Sequence, residues 1–169
     1  MLDRSTAETR RRQLAVTVDD PRAADVRALL RVHLEFCKAL SPPEDVHALD
    51  LDALLDPSVT FLTARRDRAL LAIGAIKELD ETHGELKSMH TVAPARGRGV
   101  GRAVLERLVG LACERGYRRV SLETGSMEGF RPARALYERF GFEPCEPFGG
   151  YAPSPHSTFM TLRLATPAR

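Results

Sequence analysis

The sequence predicts an α/β fold built on one mixed sheet, and three observations predict it. Apolar residues switch along the chain between the helical period and the strand period of two. A glycine-rich turn, Arg96-Gly97-Arg98-Gly99-Val100-Gly101, stands between a strand pattern and an amphipathic helix. Glycine or proline follows the long helical runs, as at Pro42, Gly116 and Gly141. A chain of 169 residues suits one domain and buries a sizeable core without metals or disulfide staples.

The elements follow in order. Residues 1–12 are polar and arginine-rich and are expected to fray, leaving 13–169 as the domain. Gln13 to Val18 reads as a short strand. Asp19-Asp20-Pro21 reads as a helix start, with acid near the cap and proline in the first turn. Val26, Leu29, Leu30, His33, Leu34 and Cys37 then recur at helical spacing until Ser41-Pro42-Pro43 stops the helix. A second, short helix covers Leu49 to Leu55. Strands are expected at Val59–Ala64 and Ala69–Leu79, and a polar turn at Asp80–Gly84 leads into Glu85–Val92. Val100, Val104, Leu105, Leu108, Leu111 and Ala112 define a helix from Gly99 to Arg115. Arg118–Thr124 is a strand. Pro132–Phe140 is a short helix with Ala133, Leu136, Tyr137 and Phe140 on one stripe. Phe142–Pro147 and Ser157–Leu164 are the last strands, joined by a loop rich in Gly and Pro. The order β-α-α-β-β-β-α-β-α-β-β gives seven strands and four helices.

Composition excludes several classes. A formal net charge of +2 is too weak to draw nucleic acid. No apolar run is long enough to span a membrane, and no apolar leader stands at the N-terminus, so a cytoplasmic protein without a membrane partner is expected. Cys37, Cys113 and Cys145 form no CxxC pair or Cys/His ligand spacing, so no metal is expected. Cys37 and Cys113 lie in amphipathic segments and read as buried reduced thiols.

The glycine-rich turn carries the clearest chemistry. Glycines let the backbone turn tightly and approach a ligand, and the following helix start offers unpaired N–H groups at the positive end of its dipole. Together they suit a pyrophosphate, with Arg98 and Arg102 adding positive charge at the rim. A Walker loop would require Gly-Lys-Ser/Thr, which is absent. A dinucleotide fingerprint would require glycine at Arg102, with Glu123 as the ribose acid, and the chain is too short beyond it for a doubly wound domain. A turn that holds no ligand is the plain alternative.

Arg96-x-x-Gly99-x-Gly101 resembles the Q/R-x-x-G-x-G/A pyrophosphate signature of the GNAT superfamily of acyl-CoA-dependent N-acyltransferases. Ala133-x-x-Leu136-Tyr137-x-x-Phe140-Gly141-Phe142 resembles the family's A-x-x-L-Y-x-x-x-G-F segment. Glu85-Leu86-Lys87-Ser88-Met89, Leu122-Glu123-Thr124-Gly125 and Pro147-Phe148-Gly149-Gly150-Tyr151 are similar to a bacterial subgroup of it. Phe130 departs from the pattern, since many members carry Asn three residues before that Ala. The resemblance implies a mostly antiparallel sheet in which the strand at Glu85–Val92 splays from that at Arg118–Thr124. It implies acetyl-CoA as co-substrate, its pantetheine arm in the splay on main-chain groups of Met89 and Thr91, and its pyrophosphate held by Arg96, Gly97, Arg98, Gly99, Val100, Gly101 and Arg102. The acceptor implied is a small-molecule amine. A homodimer is compatible with the resemblance, and the sequence does not set the oligomeric state.

The chemistry needs a base, because an alkyl amine with a pKa near 10 is almost wholly protonated at pH 7. Glu85 and Glu123 are the candidates, Glu85 first. Strict alternation puts Glu85, Lys87, Met89 and Thr91 on one face and Leu86, Ser88, His90 and Val92 on the other. Polar groups on both faces suggest that this strand borders a cavity. The plain alternative for Glu85 is an ion pair with Lys87, and for Glu123 a solvated strand end or cap. His90 is a further base or acceptor contact, or a hydrogen-bonded core residue. Tyr137 matches the family's general acid and is otherwise a core aromatic, with Ser126 a weaker acid. Tyr151 and Ser157 flank the Gly/Pro-rich loop and are candidate acceptor contacts. The competing readings are acetylation of protein lysines or N-termini, and an acyl-CoA sensor without catalysis.

Overall fold

Residues 13–165 are described by a computed structural model of the chain. The expectation of fraying at residues 1–12 lies outside them. The elements are β1 (Ala15–Val18), α1 (Ala24–Leu40), α2 (Leu51–Leu54), β2 (Val59–Arg66), β3 (Ala69–Asp80), β4 (His83–Thr91), α3 (Val100–Glu114), β5 (Arg119–Gly125), α4 (Arg131–Phe140), β6 (Glu143–Pro144) and β7 (Ser157–Arg163). They form a seven-stranded sheet in the order β1-β2-β3-β4-β5-β7-β6. Every neighbouring pair is antiparallel except β4 and β5, joined by a crossover through α3.

Helices cover both faces, which is why β3 reads as a nearly continuous apolar run. Ala72 and Ile76 of β3 pack with Val104, Leu105 and Leu108 of α3. Ile73 and Ala75 pack on the other face with Val26 and Leu29 of α1 and Leu54 of α2. The expected element order holds, with local differences. Asp19-Asp20-Pro21 forms a turn rather than the first turn of α1. Its Asp20 side chain accepts from the Arg22 backbone, and α1 starts only at Ala24 without a side-chain cap. The strand expected over Phe142–Pro147 is reduced to Glu143–Pro144. Cys113, expected to be buried, is exposed on α3, while Cys37 is half-buried.

The decisive irregularity lies in β4. Ala75 pairs with Lys87 but Ile73 pairs with His90, so Ser88 and Met89 together oppose Gly74. This is a β-bulge, and Ser88 adopts φ of 53° in it. The bulge overturns the strict alternation expected of this strand. Glu85, Lys87 and His90 share the α1 face, whereas Leu86 and Met89 pack toward α3. Gly74 makes the arrangement sterically feasible, because a Cβ there would stand 2.6 Å from Met89 Sδ and 2.7 Å from Val104 Cγ1.

Gly74→Val is therefore expected to destabilise the protein by about 1–3 kcal/mol through overpacking. Gly150→Ala, whose Cβ would meet nothing within 4 Å, serves as the neutral comparison. Urea denaturation of the two variants checks this.

Candidate active site

β4 and β5 pair in parallel over only four register positions, from His83 with Arg119 to Leu86 with Leu122. Beyond them the strands separate, and a cleft of about 870 Å³ opens between them. At its mouth stands the start of α3. Gly97 and Gly99 adopt φ of 71° and 77°, a left-handed backbone that favours glycine. A Cβ at either position would meet nothing within 4 Å, so the cradle is open to a ligand. Gly99 caps α3 without a side-chain bond, and no acid stands in the first turn, which leaves its N–H groups and dipole for an anion. Arg96 braces this loop by donating from Nε to the Thr91 carbonyl at 3.1 Å.

Met89, Thr91, Arg96, Gly97, Val100, Gly101 and Arg102 all line the cleft with Gly99. Arg98 is exposed beside it and does not line it. Arg102 is engaged with Glu106 Oε1 at 2.9 Å and lies over the Phe140 ring.

Glu123 of β5 and Tyr137 of α4 line the inner part. Burial raises the Glu123 carboxyl to about 6, opposed by the Ser157 hydroxyl and the Lys87 charge and aided by Glu85 and Asp45. Tyr137 is almost wholly buried, tilted against Phe142, and its phenol is pushed well up by burial and by the Glu123 charge. Its hydroxyl has no hydrogen-bond partner among the described residues. Ser126 is exposed and donates to the Pro155 carbonyl at 2.7 Å, outside the cleft.

Glu85 stands elsewhere. It is 4 % exposed and does not line the cleft. Its Oε1 accepts from Lys87 Nζ at 3.2 Å and from the Tyr151 hydroxyl. Lys87 Nζ donates further to Tyr151 at 2.7 Å and to the His47 carbonyl at 3.0 Å. The ion pair that was the plain alternative for Glu85 is thus present. It ties β4 to the segment after α1 and to the loop before β7. Tyr151 therefore belongs to this latch rather than to the cleft wall, and it packs on Phe148, Phe159 and His47. Ser157 is not in the wall either.

His90 lines the cleft, with Nδ1 3.2 Å from Nδ1 of His33. Burial lowers both imidazoles to about 4, so they are uncharged at neutral pH and unsuited to hold a proton as bases there. Among the described residues, the buried side-chain polar atoms without a partner are Ser88 Oγ, His90 Nε2 and Ser157 Oγ. Ser88 and His90 line the cleft, whereas the Ser157 hydroxyl lies close enough to Glu123 to lower its carboxyl and carries no argument for a ligand. The α1 contribution escaped sequence reading. His33, Phe36 and Cys37 line the cleft, as do Asp45 and His47 after the helix. His33 on an otherwise apolar stripe was the available signal. Among the described residues no group of three His, Cys, Asp or Glu could hold a metal, and no helix is long and apolar enough to cross a membrane.

The splayed sheet and the glycine-rich helix start at its mouth are the frame of an acyl-CoA-dependent transferase. The family model of the acetyltransferase (GNAT) family matches residues 26–142. The chain is 48 % identical to the uncharacterized N-acetyltransferase YsnE of Bacillus subtilis, over 88 % of this chain and 99 % of that protein. It is 41 % identical to the IAA acetyltransferase of Azospirillum brasilense, over 74 % of this chain and 81 % of that one. A solved Klebsiella pneumoniae structure, assigned to the acyl-CoA N-acyltransferases, superimposes with a TM-score of 0.74 at 28 % identity, covering 90 % of this chain and 99 % of that one. The chain belongs to the GNAT acetyltransferase family.

Because Glu85 and Lys87 are both buried, removing one partner leaves an uncompensated charge. Lys87→Met is expected to cost about 3–5 kcal/mol, and the double variant Glu85→Gln/Lys87→Met clearly less. A double-mutant cycle in guanidinium chloride measures the coupling.

Proposed function

We propose that this enzyme moves the acetyl group of acetyl-CoA onto the primary amine of a small molecule, with Glu123 as general base and Tyr137 as general acid. The observation that carries the reading is one continuous cleft. It runs from the glycine-rich start of α3 to Glu123 and has Tyr137 in its wall.

The open cradle at Gly97 and Gly99 and the unpaired N–H groups of α3 fit a pyrophosphate. When bound, the co-substrate supplies the activated acetyl carbonyl and a thiol leaving group. The Ser88–Met89 bulge leaves backbone outside the ladder at the splay, which supports Met89, with Thr91, as a main-chain contact. Glu123 accepts the amine's proton, and its carboxyl near 6 keeps it mostly ionised at neutral pH yet more basic than an ordinary carboxylate. Glu85, the first candidate on sequence, is not the base, because its carboxylate is taken up by Lys87 and Tyr151. Tyr137 protonates the departing thiolate. A phenol near 10 and a thiol near 8.5 make that transfer uphill by about 2 kcal/mol in water; burial and the Glu123 charge raise the Tyr137 phenol further, and desolvation of the thiolate raises the thiol in the same direction. The loop at Phe148–Tyr151 packs on β7 and stands outside the cleft lining.

Two variants test the roles. kcat/KM is expected to rise with pH through an apparent pKa near 6 as Glu123 ionises. Glu123→Gln should remove that limb and lose roughly 10²-fold in turnover at pH 7, with a smaller loss at pH 9.5, where free amine is plentiful. Equal loss at both pH values would leave Glu123 as a binding group only.

Tyr137→Phe keeps the ring and its packing and deletes a hydroxyl that has no partner among the described residues. It should melt like the parent, bind acetyl-CoA within a few-fold, and lose roughly 10²-fold in kcat. A folded variant turning over at the parent rate would make Tyr137 a core aromatic alone.

A further inference from the structure

The acceptor side of the cleft has a definite chemistry. α1 presents His33 and Phe36, β4 presents His90, and the turn before α4 presents Phe130. Their rings form one edge-to-face chain, with centroids 5.2 Å apart for His33–His90, 5.8 Å for Phe36–His90 and 5.2 Å for Phe36–Phe130. Both imidazoles are neutral at physiological pH, so this wall is aromatic and uncharged. Phe130 is fixed from behind, because its ring fills the space a Cβ on Gly125 would need. Phe36 and His33 remain half-buried, with part of each ring available to a ligand.

Acid stands next to the rings. Glu123 and Asp45 line the same space, and the Glu123 charge is felt at Cys37, the neighbour of Phe36 on α1. Lys87 also reaches this wall, but its ammonium already serves the His47 carbonyl, Glu85 and Tyr151, which accounts for its three N–H groups. Arg131, next to Phe130 in the lining, is paired with Glu128 Oε1 at 3.0 Å, so a carboxylate carried beside the acceptor's amine would meet two acids and cations that are already engaged. An aromatic ring meets preferred edge-to-face partners, and an ammonium meets Glu123. His90 Nε2, buried and without a partner among the described residues, adds one polar contact at the edge of the wall.

We propose that the acceptor is an arylalkylamine, its ring seated against Phe36, Phe130 and the His33–His90 pair and its amine at Glu123. This rests on the acetyl-transfer reading above. The amine nitrogen bonds to the acetyl carbon and the thioester C–S bond breaks. One proton of the bound ammonium passes to Glu123 and on to solvent; Tyr137 protonates the thiolate and is restored by the second proton, which the nitrogen sheds as the tetrahedral intermediate collapses. Phe36 and Phe130 are then the residues that set acceptor specificity.

The test measures thiol release from acetyl-CoA with matched acceptors: phenethylamine against phenylalanine, tryptamine against tryptophan, and spermidine as a non-aromatic amine. kcat/KM for each arylalkylamine is expected to exceed that for its amino acid and for spermidine by at least about tenfold. Phe36→Ala should raise KM for phenethylamine by roughly tenfold while acetyl-CoA affinity stays within about threefold. Phe36→Leu, which keeps apolar bulk and guards against a folding defect, should raise that KM as well. Preference for the amino acids or for spermidine would overturn the arylalkylamine assignment and leave acetyl transfer standing. An unchanged KM in both folded Phe36 variants would overturn the seat of the ring. Absence of thiol release with every amine, despite acetyl-CoA binding, would instead overturn the acetyl-transfer reading itself.

Discussion

Two parallel strands that pair for four positions and then part are the constraint on which the rest of this molecule depends. A fully zipped parallel sheet would leave no room between β4 and β5 and no free main chain along either edge. Here the bulge at Ser88–Met89 re-aims the end of β4 as pairing stops. It costs a non-glycine residue in the left-handed region, a strain of order 1 kcal/mol that the surrounding sheet holds in place. Gly74 on the neighbouring strand accommodates the displaced Met89 side chain. The α3 crossover then brings its unpaired N–H groups to the mouth of the opening, while α1 and α4 complete the apolar lining inside.

The second organising feature is the buried latch of Glu85, Lys87 and Tyr151. It draws together β4, the segment after α1 and the loop before β7, three pieces far apart in sequence. An ion pair this deep is poor evidence for stability, because desolvation offsets much of the attraction. Its effect here is geometric and electrostatic. It anchors the ring cluster of Tyr151, Phe148 and Phe159 beside β4, and it sets a fixed cation near Glu123. Without that cation the burial of Glu123 would push its carboxyl higher still, toward a form unable to accept a proton at neutral pH.

Much was legible in the chain itself. The order and type of the elements follow from periodicity and from stops at Pro42, Gly116 and Gly141, because these depend on local backbone preference. The glycine cradle at Gly97–Gly101 was equally readable, since left-handed backbone and open helix N–H groups are properties of a few adjacent residues. The resemblance to the family, carried by that turn and by Ala133–Phe142, added the expectation that β4 and β5 splay.

What only the tertiary structure decided were relations between distant residues. Strict alternation assigned His90 and Glu85 to opposite faces of β4. One extra residue at the bulge put them on the same face, and a bulge depends on the facing strand at Gly74 rather than on β4's own sequence. Whether Glu85 or Glu123 faces the cleft was likewise undetermined by residue type, because both are carboxylates on central strands. Long-range packing brought Lys87 and Tyr151 onto Glu85 and left Glu123 in the wall. The ring wall of α1 was hidden for the same reason. His33, Phe36 and Cys37 fit a helical stripe, and only the opening of the sheet beneath them turns that stripe from core into cleft wall.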